Sequence, residues 1–520
     1  MNITLYGRKT FYYFYLLVSF LINGFGLSKI YNIFGLSKEF FFAMLITFGF
    51  NVLIFVLFRI IFGRLFKYVL ALLIIFNAVF AYAIFDIGVE IGFDSIFATI
   101  QADREDIMMY INFKSFCFFS FFGILPTFLL LKLHTEKYNT IKIAKYHLIP
   151  LLIIVLFVSK YHEKVFLLGY RKSYSGYVLP YSYLDSVFFY IKKYTIPKIK
   201  MKSRPKICKD AIMSNQNKNT LIVFVLGEAS RADRYSLNGY NKLTNPNLVK
   251  QSDLFNFSNV TSCATYTAKS VPCILSPLER EKFTLPVSTN NILDILQDFN
   301  FDVKWRGTQS HCYGTCINIK DVSYIKTHGW VDKIRQHDII LRDELDKIIP
   351  NLNKNTFVVL HPLGSHGPYD AKFPKDMKGV LLPYKENVES HLDMTPEELN
   401  NAYDNTILYT DYFLSEIIKT LEKTKDKNVI MFFTADHGES LGENGIYGHS
   451  SPYEKAGDEQ KQVPMMIWMN KDFIKNYKVN TQKLKRKLRN SYSHDNVFHS
   501  ILDVVGVEGD CVKQELSLFR

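Results

Sequence analysis

Apolar residues are arranged in two different ways along the chain, and the change comes near residue 165. Before it they form long, almost unbroken runs: Phe11 to Leu27, Phe40 to Phe58, Tyr68 to Phe85, Phe116 to Leu131 and Leu148 to Val158. The first four approach or reach the roughly 20 residues that a helix needs to cross a bilayer, whereas the fifth is short and needs Lys145 and Lys160 to snorkel at its ends. After Thr220 the apolar runs become short and alternate with helical patterns. Leu221 to Leu226, Phe301 to Trp305, Thr356 to His361, Val429 to Phe433 and Val463 to Trp468 read as strands. Ile292 to Phe299 reads as a helix and Pro396 to Leu421 as a long amphipathic one. Such alternation predicts an α/β domain with a mostly parallel central sheet and helices on both faces.

The pattern therefore divides the chain into a five-helix transmembrane anchor over residues 1–165, a connector over 166–215 and a soluble α/β domain over 216–520. In the connector, Tyr183 to Ile196 mixes Leu184, Val187, Phe188, Phe189 and Ile191 with Lys192 and Lys193, and the basic run Lys198 to Lys206 follows. This fits an amphipathic helix lying on the membrane; a helix packed on the soluble domain would show the same pattern.

Charge orients the anchor. The net charge of +13 raises nucleic acid as a partner, but no basic patch interleaved with aromatics accompanies it, and an anionic lipid surface accounts for it more simply. Arg8 and Lys9 precede the first span, Arg59, Arg64 and Lys67 follow the second, and Lys132, Lys137, Lys142 and Lys145 follow the fourth. By the positive-inside rule these segments are cytoplasmic, and the loop with Asp86, Glu90, Asp94, Asp103, Glu105 and Asp106 lies opposite. Five spans then export everything after residue 160; four would leave it inside. The first run lacks a small-residue cleavage site and reads as a retained anchor. Asn51 and Asn77 are too few polar residues within the spans for a transport path.

Cysteines outside the spans fit an oxidising compartment. Cys263 and Cys273 are close enough to staple the segment between them. Cys312 and Cys316 have a spacing also found in half of a zinc site, but no matching half follows, which favours a small disulfide loop. Cys208 and Cys511 remain, one near each end of the soluble domain, and are expected to pair. Cys117 falls within a span and reads as packing.

Candidate chemistry gathers where strands end, which is where open α/β sheets bind ligands. Val429 to Phe433 runs into Asp436-His437-Gly438, a carboxylate and an imidazole that suit Zn²⁺, with His449 further on. Alone, such a pair is more often a helix cap and a core histidine. Here Gly227-Glu228 ends another strand and brings a further carboxylate to the same rim. Thr265, Thr267 and Ser270 lie between the first cysteine pair, and a hydroxyl beside a metal can become a nucleophile; a hydroxyl-rich helix start is the structural alternative. His366 stands on a tight loop in Gly364-Ser-His-Gly-Pro368 rather than on an apolar helix face.

Together with Asn401-Ala-Tyr-Asp-Asn405 and Asp436-His-Gly-Glu-Ser-Leu-Gly-Glu-Asn-Gly445, these segments resemble the bacterial phosphoethanolamine transferases, in order and spacing from about residue 220 to 505. That family belongs to the alkaline phosphatase and sulfatase superfamily and includes the lipid A modifying enzymes associated with polymyxin resistance. The resemblance implies Glu228, Thr267, Asp436 and His437 as zinc ligands and Thr267 as the nucleophile. It places His366 and His449 on the substrate side or at a second metal. It implies transfer of phosphoethanolamine from phosphatidylethanolamine through a Thr267 intermediate to an envelope acceptor, expected to be a lipid A phosphate. The protein would be a monomer in the bacterial inner membrane with its catalytic domain in the periplasm.

This sequence departs from the family where Trp305-Arg306-Gly307-Thr308 replaces a Trp-Arg-Asp-Asn type segment, where Ser288 replaces a lysine, and in lacking a third short-range cysteine pair. A glycan or protein acceptor, a glycerol-phosphate transferase and a phosphatase-like hydrolase therefore stay open. A sulfatase is disfavoured because Cys263-Ala-Thr-Tyr-Thr lacks the pattern that matures to formylglycine.

Overall fold

The computed structural model describes residues 10–101, 107, 110–133, 175–192, 206–214, 219–285, 289–309, 311–325, 337–386, 388 and 393–520. The run Leu148 to Val158, Asp103 to Asp106, Ser288 and the basic run from Lys198 to Pro205 lie outside them. The chain forms two compact units, one of residues 1–96 with 110–191 and the other of 97–109 with 192–520.

Among the described residues of the first unit, four helices are long and apolar enough to cross a membrane: Thr10–Phe34, Ala43–Phe62, Phe66–Ile87 and Phe113–Lys132. Two of these starts are set by side chains that satisfy otherwise orphaned backbone N–H groups: Ser37 accepts from Phe40, and Asn112 from Ser115 in a capping box. The asparagines within the spans are structural. Asn23 exchanges two hydrogen bonds with the Leu179 backbone (2.8 and 3.0 Å) and Asn51 adds a third to the Leu179 carbonyl (3.1 Å). The Asn77 carbonyl accepts from Tyr183 (2.9 Å). Residues 175–191, the described first part of the connector, thus pack within this unit, with Val178, Leu179 and Tyr183 buried and Phe188 exposed on the helix Tyr181–Tyr190. The side chain of Cys117 faces outward instead of packing inside the bundle.

The second unit is built on a seven-stranded sheet: β1 (Thr220–Gly227), β2 (Leu254–Phe257), β3 (Asp302–Gly307), β4 (Asp321–Tyr324), β5 (Thr356–His361), β6 (Asn428–Ala435) and β7 (Met465–Met469), in the order β2-β7-β6-β1-β5-β3-β4. Only β7 runs against the others, so the mostly parallel sheet is as expected. Alternation along β1 divides the core. Ile222, Phe224 and Leu226 pack with the helices Thr267–Ile274, Ile292–Asp298 and Asp495–Val504, whereas Leu221, Val223 and Val225 pack with Ile340–Ile348 and Pro396–Glu422. That is why the central strands read as continuous apolar runs: both faces are covered. Disulfides join Cys208 to Cys511, Cys263 to Cys273 and Cys312 to Cys316. The first ties the two ends of this unit together beside the pairing of Ile212–Met213 with Val507–Glu508.

Candidate active site

Sheet register sets the site. β1 and β6 are parallel neighbours with Gly227 opposite Ala435, so Glu228 and Asp436 leave the sheet side by side, and the Asp436 N–H donates to the Gly227 carbonyl (3.0 Å). The helix Thr267–Ile274 begins there, bringing its first residue to the same point. Thr267 Oγ1 lies 3.1 Å from both Glu228 oxygens and 3.2 Å from His437 Nε2. His437 Nε2 is 3.2 Å from Glu228 Oε1 and 3.4 Å from Asp436 Oδ2. All four residues are buried.

The surroundings leave one lone pair from each group turned inward. The His437 Nδ1–H donates to the Gly438 carbonyl (2.8 Å), which turns Nε2 toward the carboxylates as the nitrogen that would bind a metal in exchange for its proton. Asp436 Oδ1 accepts from the N–H groups of His437 (2.8 Å) and Ala229 (3.2 Å), while Asp436 Oδ2 is buried with no hydrogen-bond partner among the described residues. An orphaned carboxylate oxygen beside a second carboxylate is unfavourable unless a cation neutralises it. The donor atoms of Glu228, Asp436 and His437 lie within 4.8 Å of one another, and these oxygen and nitrogen donors fit Zn²⁺.

The protonation behaviour expresses the same shortage of positive charge. Burial, then the charge of Glu228, push the Asp436 carboxyl up to about 7. Burial opposes the charged form of His437, but Asp436 and Glu228 outweigh it and hold the imidazole up to about 10. Burial likewise opposes the charge on Glu228, yet the neighbouring His437 keeps its carboxyl well below the usual range.

The three candidate hydroxyls are placed differently. Thr265 Oγ1 donates to the Ser451 carbonyl and Ser270 Oγ to the Asp436 carbonyl, both at 2.6 Å, so each is committed to the backbone. Thr267 alone among them points into the acidic cluster. His449 and His366 stand beside it: the His449 ring centre is 4.5 Å from that of His437 and 5.3 Å from that of His366. His366 Nδ1 is 2.9 Å from the Gly367 carbonyl. Glu228, Thr267, Asp436, His437, His366 and His449 thus lie together, whereas Thr265 and Ser270 do not face the carboxylates.

Other residues of the site were not singled out by the sequence. Buried Glu439 lies 3.2 Å from His449 Nδ1; burial opposes its charge, but pairing with His449 holds its carboxyl below the ordinary range. Its signal was its place in the Asp436 motif. Gln309 reaches Glu228, and Thr308 donates to buried Asp338 (2.6 Å), whose oxygens accept from the N–H groups of Leu363 and Gly364 and so fix the His366 loop. Thr308 was marked only as part of a segment that departs from the family pattern, and no sequence signal marked Gln309 or Asp338, because they are distant in the chain from what they hold.

Comparison with known proteins places this architecture. A sulfatase family model matches residues 220–507, and a phosphoethanolamine transferase EptA/EptB model matches residues 49–195. The phosphoethanolamine transferase EptA of Escherichia coli K12 is 37% identical over 307 residues, covering 58% of this chain but only 56% of that relative's own length. The phosphatidylethanolamine transferase Mcr-1 of E. coli is 30% identical over 485 residues, 87% of this chain and 86% of its own. The structure of the integral membrane lipooligosaccharide phosphoethanolamine transferase A from Neisseria meningitidis superposes with a TM-score of 0.87 over 97% of both chains, at 24% identity.

Proposed function

This chain belongs to the phosphoethanolamine transferases of the alkaline phosphatase and sulfatase superfamily, an integral membrane protein with a C-terminal soluble domain, and from that premise we propose that it transfers phosphoethanolamine from phosphatidylethanolamine to an envelope acceptor. The observation that carries this reading is the Thr267 hydroxyl set among Glu228, Asp436 and His437. Zinc held by Glu228, Asp436 and His437, with Thr267 beside them, would supply Lewis acidity that lowers the hydroxyl pKa and neutralises charge on the phosphoryl oxygens. Thr267 Oγ forms the bond to phosphorus as the bond to the diacylglycerol oxygen breaks, giving a phosphoethanolamine-threonine intermediate. His449, oriented by Glu439, and His366 are the groups that give a proton to the leaving oxygen and later take one from the acceptor. A membrane anchor suits a donor that is itself a lipid.

The acceptor in this reading is a lipid A phosphate, because a basic, membrane-anchored chain favours an anionic lipid partner. The test supplies full-length protein with phosphatidylethanolamine labelled in its head group. Zinc-dependent release of diacylglycerol, with label appearing on lipid A by mass spectrometry, is expected. Label on a glycan or protein, with lipid A unaltered, would replace the acceptor. Label lost to water alone would make the chain a hydrolase, and release of glycerol phosphate from phosphatidylglycerol would make it a glycerol-phosphate transferase.

We place the protein in the bacterial inner membrane with this domain in the periplasm. A single cysteine introduced at exposed Lys250, in the chain lacking Cys117, is expected to react with a membrane-impermeant thiol reagent once the outer membrane is opened. Protection of that cysteine until the inner membrane is breached would put the domain in the cytoplasm.

A further inference from the structure

Glu228 is delivered to the site by a turn that an ordinary residue seldom adopts. Ala229, next to it, has a φ of 52°, in the left-handed region where a Cβ is crowded. Such a conformation persists only where its surroundings impose it. Here the Glu228 carbonyl accepts from the Ser365 N–H (3.0 Å), and the Ala229 N–H is taken by Asp436 Oδ1. Two further backbone groups meet one side chain: the Tyr403 hydroxyl donates to the Ala229 carbonyl (2.7 Å) and accepts from the Arg231 N–H (2.9 Å). A hydroxyl is suited to this because it is donor and acceptor at once.

Tyr403 is fully buried in the Asn401-Ala-Tyr-Asp-Asn405 segment of the helix Pro396–Glu422, and its neighbours hold that helix in place. Asn405 exchanges two hydrogen bonds with the Leu381 backbone (2.7 and 3.0 Å), and buried Asp404 receives Arg234, Tyr240 and Lys242. At the far end of Glu228, Gln309 Nε2 donates to Oε2 (2.6 Å) and to the Pro362 carbonyl (3.2 Å). Both partners are acceptors, so it is the amide nitrogen that faces them.

We propose that Tyr403 and Gln309 are positioning residues for Glu228: Tyr403 imposes the left-handed turn that aims the side chain, and Gln309 occupies Oε2 so that Oε1 is presented to the metal beside His437. The inference rests on Glu228 being a metal ligand. It gives a task to the Asn-Ala-Tyr-Asp motif, which contributes no atom to the reacting centre. It also explains how the Gly307-Thr308-Gln309 segment bears on the site from the end of β3, which β5 separates from β1.

The test uses the full-length protein in detergent and reads zinc affinity by competition with a chelator, beside the melting temperature of the zinc-free protein. Tyr403→Phe and Gln309→Ala are each expected to weaken zinc binding by about 10- to 100-fold, the usual loss when a group supporting a metal ligand is removed. Adding Ala229→Gly to Tyr403→Phe is expected to recover part of the affinity, since glycine takes the left-handed turn without being forced. Glu228→Ala is the reference. If it leaves zinc affinity unchanged, Glu228 is not a ligand and the reading beneath the inference fails. If it abolishes binding while Tyr403→Phe and Gln309→Ala bind zinc as the unsubstituted chain does, or lower only the melting temperature, the positioning role is overturned and the ligand stands. No recovery on adding Ala229→Gly would overturn the part assigned to the turn.

Discussion

Thr267→Ala should abolish transfer, by roughly three orders of magnitude or more, since loss of a covalent nucleophile can cost up to about 10⁶ in kcat. Its oxygen lies among Glu228, Asp436 and His437, whereas Thr265 and Ser270 are tied to backbone carbonyls. The alanine variant should still carry zinc, because two carboxylates and an imidazole remain. His437→Ala should lose both transfer and zinc, which separates the nucleophile from the ligands. Thr267→Ser should keep measurable transfer, because the oxygen survives. Thr267 is buried and bonded to Glu228, so Thr267→Ala should also cost about 1 kcal/mol in the zinc-free protein. Incubation with donor and no acceptor should leave a phosphoethanolamine mass on the Thr267 peptide. An adduct on Thr265 or Ser270, or near-normal transfer by Thr267→Ala, would mean another nucleophile.

Gly438→Ala should be nearly as damaging, for a packing reason. A Cβ there would come 2.1 Å from the Glu459 carbonyl oxygen, and backbone cannot rotate away as the tip of a side chain can. The two segments are pinned to each other by the N–H groups of Gly438 and Glu439, which donate to Gln460 (3.0 Å) and Glu459 (2.8 Å). Forcing them apart should cost about 1–3 kcal/mol or more. It would displace His437 and Glu439, which flank the substitution, so zinc content, transfer and melting temperature should all fall. Gly445→Ala is the control in the same motif. It meets nothing within 4 Å and bears only the strain of a φ of 70°, about 1–2 kcal/mol, so transfer should persist. Equal loss from both glycines would show that the close approach at Gly438 is not what matters.

Much of this molecule is legible in one dimension. Strand positions follow from apolar runs buried on both faces, and all five predicted strands lie in the sheet, with ends shifted by a residue or two. Asp436 and His437 could be read as a pair because covalent adjacency puts them side by side, and Glu228 because it too ends a strand. The edge strands Leu254–Phe257 and Asp321–Tyr324 were not legible: each is four residues long with polar interruptions, and they acquire their state from β7 and β3. Likewise Asn51 and Asn77 read as too few polar residues for a pathway, but not as the groups that, with Asn23, hold Leu179 and Tyr183.

The sequence by itself determined the division into an apolar anchor and an α/β domain, the strand ends where the chemistry gathers, and the residue types able to hold a metal. Those properties reside in local periodicity and composition, which burial and secondary structure impose residue by residue. Only the tertiary structure decided which hydroxyl faces the carboxylates, which oxygen of Asp436 is left without a partner, that Glu439 pairs with His449, and that Tyr403 and Gln309 grip Glu228. A hydrogen bond depends on distances of a few tenths of an ångström between groups far apart in the chain, and no local pattern along the chain encodes them.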